Sequence, residues 1–173
     1  MHDEFLSNYQ YRDYTVDAVM DETLRNIDSR ENWIYIGVDT EKRGRAKIGM
    51  TTNGLETRGR CASNPDYLIC YAFKLKANVK KEKVKEIEGY IKSNVENRGF
   101  KAIKHRSTNN KSEWFFISPQ ELREIIRQIL IDIFMFDVDG HYDFDREEYI
   151  LNIFENRTGE PLSCVDYTPK FHK

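Results

Sequence analysis

The chain has 173 residues, of which 39% are hydrophobic and 13% aromatic, and its formal net charge is −2. That profile describes one globular domain, or one domain with elaborations, and excludes a disordered chain. No apolar run approaches the roughly 20 residues of a membrane span, and the N-terminal "MHDEFLSNYQYRDY" lacks the regions of a signal peptide.

The cysteines Cys61, Cys70 and Cys164 form no C-x-x-C, which argues against a disulfide framework or a zinc knuckle. The expectation is a soluble cytoplasmic protein with no membrane partner. The small net charge conceals an asymmetry. Residues 41–111 hold 18 basic against 7 acidic residues, net +11, and the remainder holds 9 against 22, net −13. A basic block of this kind is most often a solvated face. Because it coincides with the chemically unusual part of the chain, it points to a polyanion, since phosphates are held largely by Lys and Arg.

In chain order, residues 15–28 place Val16, Val19, Met20, Leu24 and Ile27 on one helical face, with Thr15 as N-cap. "NWIYIGV" and "AKIGMT" predict two strands of a hairpin around the Gly-containing loop 39–45. A short helix is expected from near Asn53, and "YLICYAFKLK" (67–76) as a third strand. The next helix, around 80–98, ends at Gly99, a natural C′ glycine. Residues 100–112 are polar and basic, with Asn109-Asn110 as a loop tip, and "EWFFI" is a short strand. The helix opening at "SPQEL" has Ser118 as N-cap, Pro119 at N1 and Glu121 completing a capping box, with Leu122, Ile125, Ile126, Ile129, Ile133 and Phe134 facing the core. The tail from 137 is acidic, and a helix is expected over 146–156. Aligning Gly140 with the sixth position of a calcium loop puts Met135 first and Arg146 where a bidentate Glu belongs, so that pattern fails.

Three residues depart from what their elements call for. Glu88 lies within the apolar stripe Val84, Ile87, Ile91 and Val95, and a buried carboxylate is costly unless paired or metal-bound. Lys47 interrupts an apolar strand, and Tyr35 sits in the strand before it. Singly, each has an ordinary reading: a stripe-edge carboxylate, an edge-strand charge, a packed aromatic. With Arg58 in the following helix they supply the parts of phosphodiester cleavage. A carboxylate can hold a divalent cation, an Arg can stabilise charge on phosphoryl oxygens, and a Tyr beside an ammonium can become a base.

The order of these elements resembles the GIY-YIG nuclease superfamily, particularly a branch found in phages and mobile elements. The two signature tripeptides correspond to "WIY" (33–35) and "KIG" (47–49), with Lys47 in place of the second tyrosine. "KIGMTTNGLETR" matches the branch's KIG-x-T segment and helix Arg at Arg58, "EIEGYIK" its metal-binding Glu at Glu88, and "SEWFFIS" its Glu-Trp-Phe strand, taken as structural. The resemblance covers about residues 32–118. Trp33 replaces the signature's first glycine, and the asparagine that many members carry downstream of the Glu has no match.

The resemblance implies an α/β (α+β) fold with a small, mainly antiparallel three-stranded sheet flanked by helices. A helical extension would occupy 1–31 and a C-terminal helix and acidic tail 119–173, around a core at 32–118. It implies a metal-dependent DNA endonuclease of phage or restriction type, acting on double-stranded DNA with one Mg²⁺ or Mn²⁺ at Glu88. Tyr35 would be the general base, Lys47 would lower its pKa and orient water, and Arg58 would brace the phosphate. Arg60 and His105 are second-rank candidates. Arg43, Arg45, Lys80, Lys81, Lys104, Arg106 and Lys111 would contact nucleic acid. The oligomeric state is open, a homodimer included. The alternatives are a catalytically silent nucleic-acid-binding module on the same fold, and an interaction protein that self-assembles through its charge dipole.

Overall fold

A computed structural model describes residues 29–60 and 64–157, the side chain of Arg60 excepted. The expected helix at 15–28, Cys61 and the chain from 158, Cys164 included, lie outside them. Strand β1 (Trp33–Asp39) and strand β2 (Ala46–Thr51) form the expected hairpin, followed by the short helix α1 (Glu56–Arg60) and strand β3 (Tyr67–Lys74). Helix α2 (Lys81–Asn97), strands β4 (Ala102–Lys104) and β5 (Lys111–Phe115), helix α3 (Pro119–Ile133) and strands β6 (Gly140–Asp143), β7 (Glu148–Leu151) and β8 (Ile153–Glu155) complete it. No helix among these residues is long and apolar enough to cross a membrane.

The mixed α/β class and the antiparallel pairing are as expected, but the sheet is larger. Six strands run in the order β4-β5-β2-β1-β3-β8, with β6 and β7 as a separate hairpin. Two elements read differently from the sequence. The basic stretch after α2 folds as the β4–β5 hairpin, with Asn109 in the left-handed region (φ 56) at its tip, and this hairpin docks on β2. The helix expected over 146–156 is instead β7 and β8. Asp143 accepts hydrogen bonds from the backbone N–H of Asp145 and Arg146, and Glu147 takes a positive φ of 54. A local Asp turn competes with helix formation, and the β-branched and aromatic residues beyond it pair as strands.

The sheet separates two apolar clusters. On one face Ile34, Ile36, Ala46, Ile48 and Phe73 pack beneath Val84, Ile87, Ile91 and Val95 of α2 and Leu122, Ile126 and Leu130 of α3. On the other, Trp33, Tyr35, Ile69, Ala72, Leu55 and Phe154 form a smaller cluster with Tyr67 against it. Strand alternation by itself would send Tyr67 and Ile69 to the same face as Tyr71 and Phe73. The pairing of β1 with β3 shifts between Ile36 and Gly37, from Tyr71 to Ile69. That bulge leaves Cys70 unpaired as the extra residue and brings Ile69 and Tyr67 onto the Tyr35 face.

α3 begins as read: the Ser118 side chain accepts from the Glu121 N–H at 3.2 Å, and Pro119 opens the helix. The start of β1 is fixed by buried polar contacts. Asn32 (φ 61) donates to the carbonyls of Lys76, Ala77 and Val79, and the Lys74 ammonium donates to those of Glu31 and Leu75 at 2.6 and 2.7 Å. Burial pushes the Lys74 ammonium down to about 8, against the upward pull of Asp139 and Glu31.

Candidate active site

Both signature strands carry an Ile-Gly pair, and the glycine has a steric reason. The ring of Tyr35 lies against Gly49 and the ring of Tyr67 against Gly37, so closely that a Cβ at either glycine would collide with a phenol. Tyr35 pairs with Gly49 across β1–β2, and Gly37 with Lys47. The register therefore places Tyr35 and Lys47 on one face, separated by a floor of two glycines. Tyr35 is 4% exposed. Burial pushes its phenol up to about 12; Arg58 pulls it down, Glu113 and Glu88 push it up, and the Tyr67 hydroxyl beside it pulls it down. Burial raises the Tyr67 phenol too, with Tyr35 adding to the effect. The Tyr67 Oη is buried without a partner that meets full hydrogen-bond geometry.

The charged residues form a chain across three elements. Lys47 Nζ lies 3.0 Å from Glu113 Oε2, Glu113 Oε1 lies 3.3 Å from Lys92 Nζ, and Lys92 Nζ lies 3.0 Å from Glu88 Oε1. β5 pairs with β2 only through Ala46 and Lys47. Beyond them α2 packs against β2, and the charge of Glu88 acts on Tyr35. Burial pushes the Glu113 carboxyl up, but the hydrogen bond from Lys47 and the Lys92 charge outweigh it and hold it below its usual range.

Tyr35 thus lies within reach of the charges of Arg58 and Glu88, and Lys47 is joined to Glu88 through Glu113 and Lys92. The expected pairing of Lys47 with the phenol takes another form: the cation that pulls Tyr35 down is Arg58, while the Lys47 ammonium is held by Glu113 and lies 5.7 Å from the centre of the Tyr67 ring. The Arg60 side chain is outside the described residues. His105 and Arg106 are exposed in the β4–β5 loop. Arg43 is exposed in the β1–β2 loop, at the opposite end of β1 from the start of α1. Lys80 and Lys81 are exposed at the start of α2, and Lys104 is exposed on the edge strand. Two of the basic residues are engaged: Lys111 pairs with Glu96 at 2.7 Å, and Arg45 with Asp39 at 2.7 Å while lying 5.1 Å over the Trp114 ring.

Sequence reading missed Tyr67, Lys92 and the link that Glu113 makes between Lys47 and Lys92. Lys92 was legible in principle, four residues after Glu88 on one helix. Glu113 lies in the Glu-Trp-Phe strand taken as structural. Tyr67 had no local signal, because a bulge decides its face.

Fold and site together define a small α/β domain whose antiparallel sheet carries a buried phenol on one face and, across β2, β5 and α2, a chain of ion pairs. Over residues 32–130 it matches the T5orf172 domain, and the chain belongs to that family, a phage-associated, nuclease-like domain linked to nucleic-acid interaction. No curated protein and no solved structure matches it.

Proposed function

We propose that this chain is a metal-dependent DNA endonuclease of the GIY-YIG type, hydrolysing phosphodiester bonds in double-stranded DNA. The observation that carries the reading is a buried phenol on β1 within electrostatic reach of Arg58 from α1, Glu88 from α2 and Glu113 from β5. Glu88 is half-buried, and among the described residues no three His, Cys, Asp or Glu gather to form a larger metal site. One carboxylate suits Mg²⁺ or Mn²⁺, which take few protein ligands and fill their shell with water and phosphate oxygens. A cation held by Glu88 would polarise the scissile phosphate and stabilise the departing 3′-oxygen.

The other groups have roles that follow from their surroundings. With its pKa pushed to about 12, Tyr35 is protonated at rest and must lose its proton before it can accept one from water. Arg58 favours that ionisation and, being exposed, is free to brace phosphoryl oxygens. Lys47 would orient the attacking water, and the exposed basic residues would hold the flanking backbone.

Incubation of supercoiled plasmid with Mg²⁺ or Mn²⁺, with and without EDTA, tests the reading. Nicked or linear product that EDTA abolishes is expected. Intact plasmid with both metals, at salt low enough for binding, sinks it.

A further inference from the structure

We propose that Glu113 is a positioning residue of this site: it holds the Lys47 and Lys92 ammonium groups, and through Lys92 the Glu88 carboxylate, in one continuous chain of contacts. The role in catalysis rests on the nuclease reading; the role in holding the two lysines does not. Glu113 receives both cations, Lys47 at Oε2 (3.0 Å) and Lys92 at Oε1 (3.3 Å), so each carboxylate oxygen is committed to a different element. Lys92 spends its second contact on Glu88, 3.0 Å away.

The carboxylate is delivered by a distorted strand. Ser112 Oγ donates to the Ile103 carbonyl at 2.6 Å and accepts from the Trp114 N–H at 3.2 Å, fixing the backbone on either side of Glu113. Trp114 is registered opposite Lys47. Exposed surface ion pairs are worth little, so stability alone is a poor reason for this arrangement. A site that must keep two lysines and a carboxylate at fixed distances gains more from it, because misplacement of about 1 Å is costly in catalysis. Glu113 also opposes Arg58 at the phenol, raising Tyr35 where Arg58 lowers it.

The test uses the full chain with Glu113→Gln and Glu113→Asp, read in two ways. In the first, without DNA, residue-resolved acylation measures the reactivity of Lys47 and Lys92, with Lys83, paired to Glu86, as internal reference. Glu113→Gln is expected to raise the labelling of Lys47 and Lys92 relative to Lys83, and Glu113→Asp to restore most of the protection. In the second, plasmid cleavage is followed against pH. Glu113→Gln is expected to lower turnover by about 10–100-fold with DNA affinity kept or improved, and to move the rising limb of the profile to lower pH, since a charge that raises the phenol is gone. A merely structural glutamate would reduce the folded fraction without moving that limb.

Unchanged Lys47 labelling in Glu113→Gln overturns the proposal whether or not the parent cuts DNA. Raised labelling with a parental turnover and pH profile overturns the catalytic role. Raised labelling with a parent that never cuts overturns the nuclease reading and supports Glu113 as the holder of the two lysines.

Discussion

At the scale of single residues, the phenol of Tyr35 has the sharpest consequences. A base whose pKa stands at about 12 is mostly protonated at neutral pH, and its ionised fraction grows tenfold per pH unit below that value. Turnover should therefore climb with pH well beyond neutrality. Tyr35→Phe should lose that climb and cut by on the order of 10²–10⁴-fold less, the scale of a lost general base. DNA affinity should hold, because the hydroxyl acts in the transition state. A parental pH profile in Tyr35→Phe, measured by plasmid nicking, would transfer the base role to another group. Glu88→Gln keeps volume and hydrogen-bonding capacity but removes the anion. Cleavage should vanish while affinity for DNA in EDTA holds or improves, since a like charge leaves the phosphate's surroundings. Its effect on stability should be small, because Glu88 answers one ammonium, that of Lys92, and the pair is partly exposed. A Glu88→Gln protein that nicks plasmid at the parental rate would dismiss Glu88 as the metal ligand.

At the scale of elements, the site depends on how closely rings approach backbone. Gly49 on β2 floors the Tyr35 ring, and Gly37 on β1 floors the Tyr67 ring. Gly49→Ala places a methyl group where the phenol lies, so either the ring rotates out or the strands part. The expected cost is about 1–3 kcal/mol, as for other overpacked cores, read as a lower midpoint of thermal unfolding. Turnover should fall further than the loss of folded protein explains, because the displaced group is the proposed base. Gly44→Ala makes a steric control, since nothing lies within 4 Å of the place its methyl group would take, although its φ of 77 carries some strain of its own. If Gly49→Ala has the stability and the turnover of the parent, the phenol is not confined as described. The β3 bulge matters at the same scale. It is one residue long, yet it decides whether Tyr67 meets Tyr35 or lies among the side chains beneath α2 and α3.

At the scale of the whole molecule, charge is segregated by sequence but distributed by fold. The basic segment 41–111 supplies β2, α1, β3, α2, β4 and the loop up to the first residue of β5, so its exposed cations reach both ends of the sheet: Arg43 at one, Lys80 and Lys81 at the other. DNA binding measured by anisotropy should weaken steeply between low and physiological salt, with a slope that reports the phosphates neutralised. Charge reversal at Lys80 and Lys81 should weaken binding and leave turnover at saturating DNA near the parent's. A flat salt dependence would remove the polyanion argument. Much of this architecture is legible in the chain. The two Ile-Gly strands, the third strand, the helix ending at Gly99 and the Ser118-capped helix all follow from periodicity, caps and glycine placement, which are local. Tyr35, Lys47 and Glu88 stand out for an equally local reason, being polar groups where their element calls for apolar or inert ones, and Arg58 is found by its place in the helix that follows. Most of the elements, the charge asymmetry and the odd residues follow from the sequence. Tertiary structure alone decided that β8 and the β4–β5 hairpin extend the sheet to six strands, that 146–156 is strand and turn, that Arg58 and not Lys47 pulls on the phenol, and that Glu113 ties Lys47 to Lys92. Each of these depends on strand register or on contacts between residues far apart in the chain, and no pattern within a single element encodes which partner a side chain will meet.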